Sequence, residues 1–153
     1  MAPFRKILIA TDGSKSTEDA ILTGLELAKI MNASVTALNA VDGPVLLSAP
    51  ADSEMVKLYT ILEKEGMSAV MHVKELGESM NVPVEIKVVS GHPVKAILDE
   101  SAGYDLIIVG SLGRTGMAKI LIGSVAEKVV KLAKCPVMVV RNKFESAAKG
   151  EGQ

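Results

Sequence analysis

Val109 to Val140 reads VGSLGRTGMAKILIGSVAEKVVKLAKCPVMVV, and within it Gly110, Gly113, Gly123 and Ser124 are spaced G-x2-G-x9-G-S. The segment leaves an apolar strand, passes through glycines, reaches a serine that opens a helical pattern, and ends at a Cys-Pro step into VMVV. Glycines in that place let a backbone come close to a ligand and turn N–H groups toward an anion, for which phosphate is the natural candidate. Taken singly, the same glycines do no more than cap helices and turn corners. Neither G-x-x-x-x-G-K-[ST] nor G-x-G-x-x-G can be laid over residues 110–124, so this is neither a P-loop nor a dinucleotide fingerprint.

Outward from this segment, hydrophobic periodicity divides the rest of the chain. Lys6 to Ala10, KILIA, predicts a buried strand closed by the turn Thr11-Asp12-Gly13-Ser14. A helix follows in which Ser16 and Asp19 imitate a capping box, Ile21, Leu25 and Ala28 share a stripe, and Asn32 is the terminator. Ser34 to Val41 predicts the second strand. Asp42 to Ser53, DGPVLLSAPADS, is longer than most connections, which marks a functional or flexible loop whose Val45, Leu46 and Leu47 could cover a ligand or a partner.

The next helix carries Met55, Leu58, Tyr59 and Leu62 on one face, continued by Ala69, Val73, Leu76 and Met80 across a weak point at Gly66, and the whole stripe is expected in the core. Val84 to Val89 predicts a third strand. Gly91-His92-Pro93 opens a helix with Val94, Ile97 and Leu98 inward, ended at Gly103. Asp105 to Val109 predicts the fourth strand, Ser124 to Lys134 the fourth helix and Val137 to Val140 the fifth strand. Residues 1–141 are then one domain, and 142–153 a disordered tail. Strands alternating with helices require a parallel sheet covered on both faces, the α/β class.

Composition narrows the function. At 153 residues and 48% hydrophobic, the chain has apolar material for one sizeable core. A net charge of −1, with two Tyr, two Phe and no Trp, offers neither a basic field for nucleic acid nor platforms on which bases stack. The single cysteine, Cys135, cannot form an internal disulfide, MAPFRK lacks the apolar core of a signal peptide, and no apolar run reaches the roughly 20 residues a bilayer requires. A cytoplasmic protein with no membrane partner is expected.

The flanks of the glycines, GSLGRTG, then LIGSVAEKVVK, then the Cys135-Pro136 step into VMVVR, resemble the nucleotide-binding signature of the universal stress protein family in its ATP-binding branch. The resemblance implies an open five-stranded parallel sheet ordered 3-2-1-4-5, Rossmann-like and similar to the adenine nucleotide alpha hydrolases. Winding then reverses between the first and fourth strands, and ligands in such sheets bind at the reversal, beyond the carboxyl ends of the strands. Asp12 and Gly110 occupy those two ends.

In that family the position of Asp12 serves the adenosine half of the nucleotide, where a carboxylate can accept hydrogen bonds from the vicinal hydroxyls of a ribose. Asp12 also has two other readings: an organiser of the turn with Gly13 and Ser14, or one ligand of a magnesium ion otherwise held by phosphates. The family pattern places Ala10, Thr11, Ala40 and Val41 around the adenine, with the main chain of Ala40 bonding the base. On their own, Ala40 and Val41 are only the last residues of a core strand.

Gly110 and Gly113 would wrap the phosphates, with Ser111, Arg114 and Ser124 as side-chain donors and Lys119 as a looser point charge. A basic residue on an exposed loop is otherwise merely solvated. Ser124 and Glu127 also spell S-x-x-E, a capping box that needs no ligand. The N–H groups of Ser124 and Val125, after Gly123, sit where a helix N-terminus attracts a terminal phosphate. His72 and His92 lack metal-ligand spacing, and Cys135 reads as a small buried hydrophobe.

These observations predict a binder of ATP, or of AMP or ADP, with Mg or Mn as an accompanying ion. It would act as a sensor or switch whose ligand alters the loop 42–53 and the glycine loop. A slow ATP hydrolase or phosphoryl transferase is the alternative, although no general base is visible in the motif. A ligand-free interaction module is a third reading, against which the intact glycine signature argues. The family commonly pairs its last strand, here Val137 to Arg141, across a two-fold axis, so a homodimer is expected.

Overall fold

Ile7, Leu8 and Ile9 of β1 (Lys6–Ala10) are completely buried, which requires a strand covered on both faces. A computed structural model, which describes residues 4–43, 49–112 and 122–142, shows how that is achieved. After β1 come a short 3-10 turn (Lys15–Thr17), α1 (Glu18–Met31), β2 (Ser34–Val41), α2 (Glu54–Ser79), β3 (Val84–Ser90) and α3 (Pro93–Glu100). A second 3-10 turn (Ser101–Gly103), β4 (Leu106–Gly110), α4 (Ser124–Leu132) and β5 (Val137–Val140) complete the order. The five strands form one sheet, β3-β2-β1-β4-β5, with every pairing parallel. Val45 to Leu47 and the tail from residue 143 onward lie outside the described residues.

Alternation along the strands sorts the core into two layers. Ile7 and Ile9 pack with Val35, Ala37, Ile21, Leu25, Ala28, Val70 and Val73, so α1 and α2 cover one face. Leu8 packs with Leu38, Ile107, Val109, Ala96, Ile97, Ala126 and Val129, so α3 and α4 cover the other. The predicted stripe of α1 is buried, and Asn32 ends that helix in the left-handed region at φ 52°. His92 caps α3, its Nδ1 accepting the Val94 N–H at 3.2 Å.

Three local expectations need correction. The N-terminal half of the α2 stripe is not core: Met55 and Leu58 are 44% and 49% exposed, and Tyr59 and Leu62 are only half-buried. The helix has 26 residues, about 39 Å at 1.5 Å each, and overhangs a β2 of 8 residues, about 26 Å. Gly66 is not a weak point either, because a Cβ there would lie 2.4 Å from Asn39 Oδ1. Its missing side chain lets α2 seat on β2. Asp105 precedes β4 rather than opening it, and its Oδ2 accepts the Arg5 and Lys6 N–H groups at 2.9 Å each.

Candidate functional site

β1 and β4 lie side by side with Ile9 opposite Ile108; beyond that pair they part, Ala10 staying with Leu38 of β2 and Gly110 with Val140 of β5, before the chains turn to opposite faces. β1 runs through Thr11-Asp12-Gly13 to α1 on one face; β4 runs through Gly110-Ser111 to α4 on the other. This divergence is the topological switch point, where an open parallel sheet has a crevice at its carboxyl edge.

The Asp12 side of the crevice is tightly organised. Asp12 Oδ1 accepts the Ser14 N–H at 2.9 Å and the Ser14 hydroxyl at 2.5 Å, and Gly13 completes the turn with φ +79°. Thr11, 5% exposed, accepts the Gly13 N–H on its Oγ1, which also lies 3.3 Å from Thr17 Oγ1. The turn-organising role of Asp12 is therefore real, and it fixes where the carboxylate sits. Ser16 falls within the 3-10 turn, its hydroxyl 2.7 Å from that of Ser14, so α1 begins two residues after it.

The opposite side is closed by main-chain bonds. Ser111 donates its N–H to Val140 O at 2.9 Å, and Ser111 O accepts the Gly123 N–H at 2.5 Å. That second bond sets the start of α4 beside the end of β4. Gly123 is the cap residue of α4 and Ser124 its first residue, so the S-x-x-E capping box does not form. Glu127 pairs with Lys131 instead, at 2.9 Å, which lowers its carboxyl below the usual range. The amides of Ser124 and Val125 belong to a first turn that has no intrahelical acceptors, at the positive end of a nine-residue helix.

The sheet brings together Ala10, Thr11, Asp12, Gly110, Ser111, Gly123, Ser124 and Val125, with Ala40 and Val41 at the end of the neighbouring β2. Gly113, Arg114 and Lys119 lie outside the described residues. Ser111 is 4% exposed, an awkward position for a side-chain donor. Gly110 has a packing role too, since a Cβ on it would approach Ser16 O and Leu112 O to 3.3 Å. Cys135 is half-buried, and burial followed by the charge of Asp105 pushes its thiol up, away from nucleophilic use.

Two features were invisible to the motif. Asn39, 5% exposed in the middle of an apolar strand, donates Nδ2 to Thr11 O at 2.9 Å, and only its polarity within SVTALNAV hinted at this. An open groove of about 910 Å³ also lies between the start of α1 and α2, lined by Asp12, Ser14, Lys15, Lys64, Ser68 and His72 among others. His72 Nε2 spans it to Glu18 at 2.9 Å. Among the described residues, the groove shares Thr11 and Asp12 with the crevice but not Gly110, Ser111, Gly123 or Ser124. Its volume is thus no argument for the phosphate end.

Fold and crevice together define a doubly wound α/β protein of the kind that binds ligands at a strand-order reversal. A family model described as universal stress protein family matches residues 3–141. Universal stress protein MJ0531 of Methanocaldococcus jannaschii is 36% identical over 140 residues, which span 90% of this chain and 82% of that relative. The chain belongs to the universal stress protein family.

Solved structures agree on the fold. UspA from Lactobacillus plantarum superposes with a TM-score of 0.82 at 23% identity, over 92% of this chain and all of that one. A family member from Arabidopsis thaliana with AMP bound gives 0.67 at 20%, over 92% and 94%. One from Archaeoglobus fulgidus in complex with dAMP gives 0.61 at 19%, over 91% and 99%. Among the described residues no helix is long and apolar enough to cross a membrane.

Proposed function

We propose that this protein binds an adenine nucleotide, ATP above its mono- and diphosphates, in the crevice between β1 and β4, and acts as a sensor or switch rather than as a catalyst. The observation that carries the reading is the convergence of the Asp12 turn and the first turn of α4 on the two sides of the strand-order reversal. A carboxylate faces where a ribose would lie, and helix amides face where a phosphate would lie. AMP and dAMP in two structures of the same fold support the class of ligand.

Asp12 would accept ribose hydroxyls, Ala40 and Val41 would hold the base, Gly110 and Gly113 would admit the phosphates, and Ser124 and Val125 would bind the terminal one. Arg114 would add a bidentate clamp. Mg or Mn would arrive on the phosphates rather than at a protein cluster, since among the described residues no three His, Cys, Asp or Glu side chains gather as a metal site. β5 is a sheet edge, and a homodimer would form along Val137 to Arg141.

Denaturing the purified protein and identifying released nucleotide, then incubating the refilled protein with ATP and Mg, tests the reading. Bound ATP with no turnover is the expected result. Sustained ADP release would replace the switch by an ATP hydrolase, and absence of both nucleotide and measurable affinity would leave an interaction module.

A further inference from the structure

Asn39 is a buried amide with no place in an ordinary parallel strand, and its partner is telling. Ala10 lies opposite Leu38, and Thr11 extends the ladder by one bond, donating its N–H to Leu38 O at 3.0 Å. In a parallel ladder the same residue offers its carbonyl to the next main-chain N–H on the partner strand, here that of Ala40. That bond is absent. The Asn39 side chain takes the Thr11 carbonyl instead, at 2.9 Å.

The exchange has two effects at one point. It holds the last peptide before Asp12, so the Ser14-bonded carboxylate is anchored from behind as well as in front. It also leaves the Ala40 N–H, which points along the sheet toward β1, without the acceptor its register provides. A half-buried amide left that way costs free energy unless a ligand or water accepts from it. Asn39 is in turn held by α2, because Gly66 passes so close that a methyl group there would strike its Oδ1.

We infer that Asn39 is a positioning residue of the nucleotide site: by capturing the Thr11 carbonyl it fixes the ribose-facing Asp12 and reserves the Ala40 N–H for an acceptor on the base. The inference rests on the adenine-nucleotide reading above and assigns a role to a side chain that itself stays buried in the α1/α2 layer.

The test compares affinities for ATP and 2′-deoxy-ATP by titration calorimetry in the wild type, Asp12→Asn, Asn39→Leu and Gly66→Ala, each checked for folding by circular dichroism. Leucine fills the volume of Asn39 without a donor; the Gly66 methyl displaces the amide without altering Asn39. Wild type should prefer ATP by about tenfold or more, the size expected of a charge-assisted hydrogen bond. All three variants should lose most of that preference while 2′-deoxy-ATP affinity falls less. In ligand-free Asn39→Leu, the Ala40 amide should recover the Thr11 carbonyl and exchange with solvent more slowly. Retention of the wild-type preference in folded Asn39→Leu overturns the inference alone, and folded Gly66→Ala decides by the same ratio should Asn39→Leu not fold. A wild type that binds neither nucleotide overturns the site reading together with it.

Discussion

Asp105 shows how one residue outside the regular elements can hold a sheet together. Its carboxylate accepts two main-chain N–H groups, from Arg5 and then Lys6, and these bonds hold its pKa below the usual 3.8. A depressed carboxyl stabilises the fold in full above its unfolded pKa, and that contribution is lost as pH falls through the lower folded value. Asp105→Asn should therefore lower Tm at pH 7 and narrow the Tm difference from wild type below pH 4. Thermal melts across that range check it, and a constant difference at every pH would contradict it.

Other single residues were legible in the sequence only when their chemistry is local. Asn32 announced a left-handed cap and His92-Pro93 a helix start, because both depend on neighbours within a turn. Ser124 misled by one position: the Gly123 amide is drawn to the Ser111 carbonyl across the loop, so Gly123 caps and Ser124 enters the helix. Asn39 was missed for the same reason. Its partner Thr11 is distant in sequence, and a lone polar residue in an apolar strand reads as noise until the register is known.

At the scale of elements, periodicity tells which residues share a face but not what the face meets. The α2 stripe was read correctly as a stripe and wrongly as core throughout, because helix length against sheet length is a three-dimensional comparison. The N-terminal half of that stripe and the buried stripe of α1 differ measurably as a result. Leu25 is fully buried, and Leu25→Ala should cost about 2–5 kcal/mol; Leu58 is 49% exposed, and Leu58→Ala should stay within about 0.5 kcal/mol. Chemical denaturation distinguishes them, and a comparable loss at Leu58 would show that its face is covered.

The strands themselves were well marked. β2 and β5 have the bounds expected of them: SVTALNAV is rich in Val, Thr and Ala and mostly buried, and VMVV is a short β-prone run after the Cys135-Pro136 step, half-buried at the edge of the sheet. Strand order was another matter: alternation implied a parallel sheet, but the placement of β1 beside β4 came through family resemblance and is now seen directly in the pairing of Ile9 with Ile108.

For the whole molecule, the sheet edge at β5 is where the proposed homodimer would pair. Val140 O receives the Ser111 N–H, so even-numbered residues of β5 face β4 and the backbone polar groups of Val139 face outward. Proline at 139 removes an outward N–H without touching the β4 ladder, a position where edge strands tolerate it. Val139→Pro should convert a dimer to a folded monomer in sedimentation velocity, and an unchanged dimer would place the interface elsewhere.

The proposed nucleotide crevice and the α1/α2 groove meet at Asp12, and they make separable predictions about the same spectrum. Backbone amide shifts of the 15N-labelled protein, followed while ATP is added, test the central claim most directly. The crevice predicts saturable shifts at Asp12, Ala40, Gly110, Ser124 and Val125. Shifts confined to Lys64, Ser68 and His72, or none at all, would contradict it.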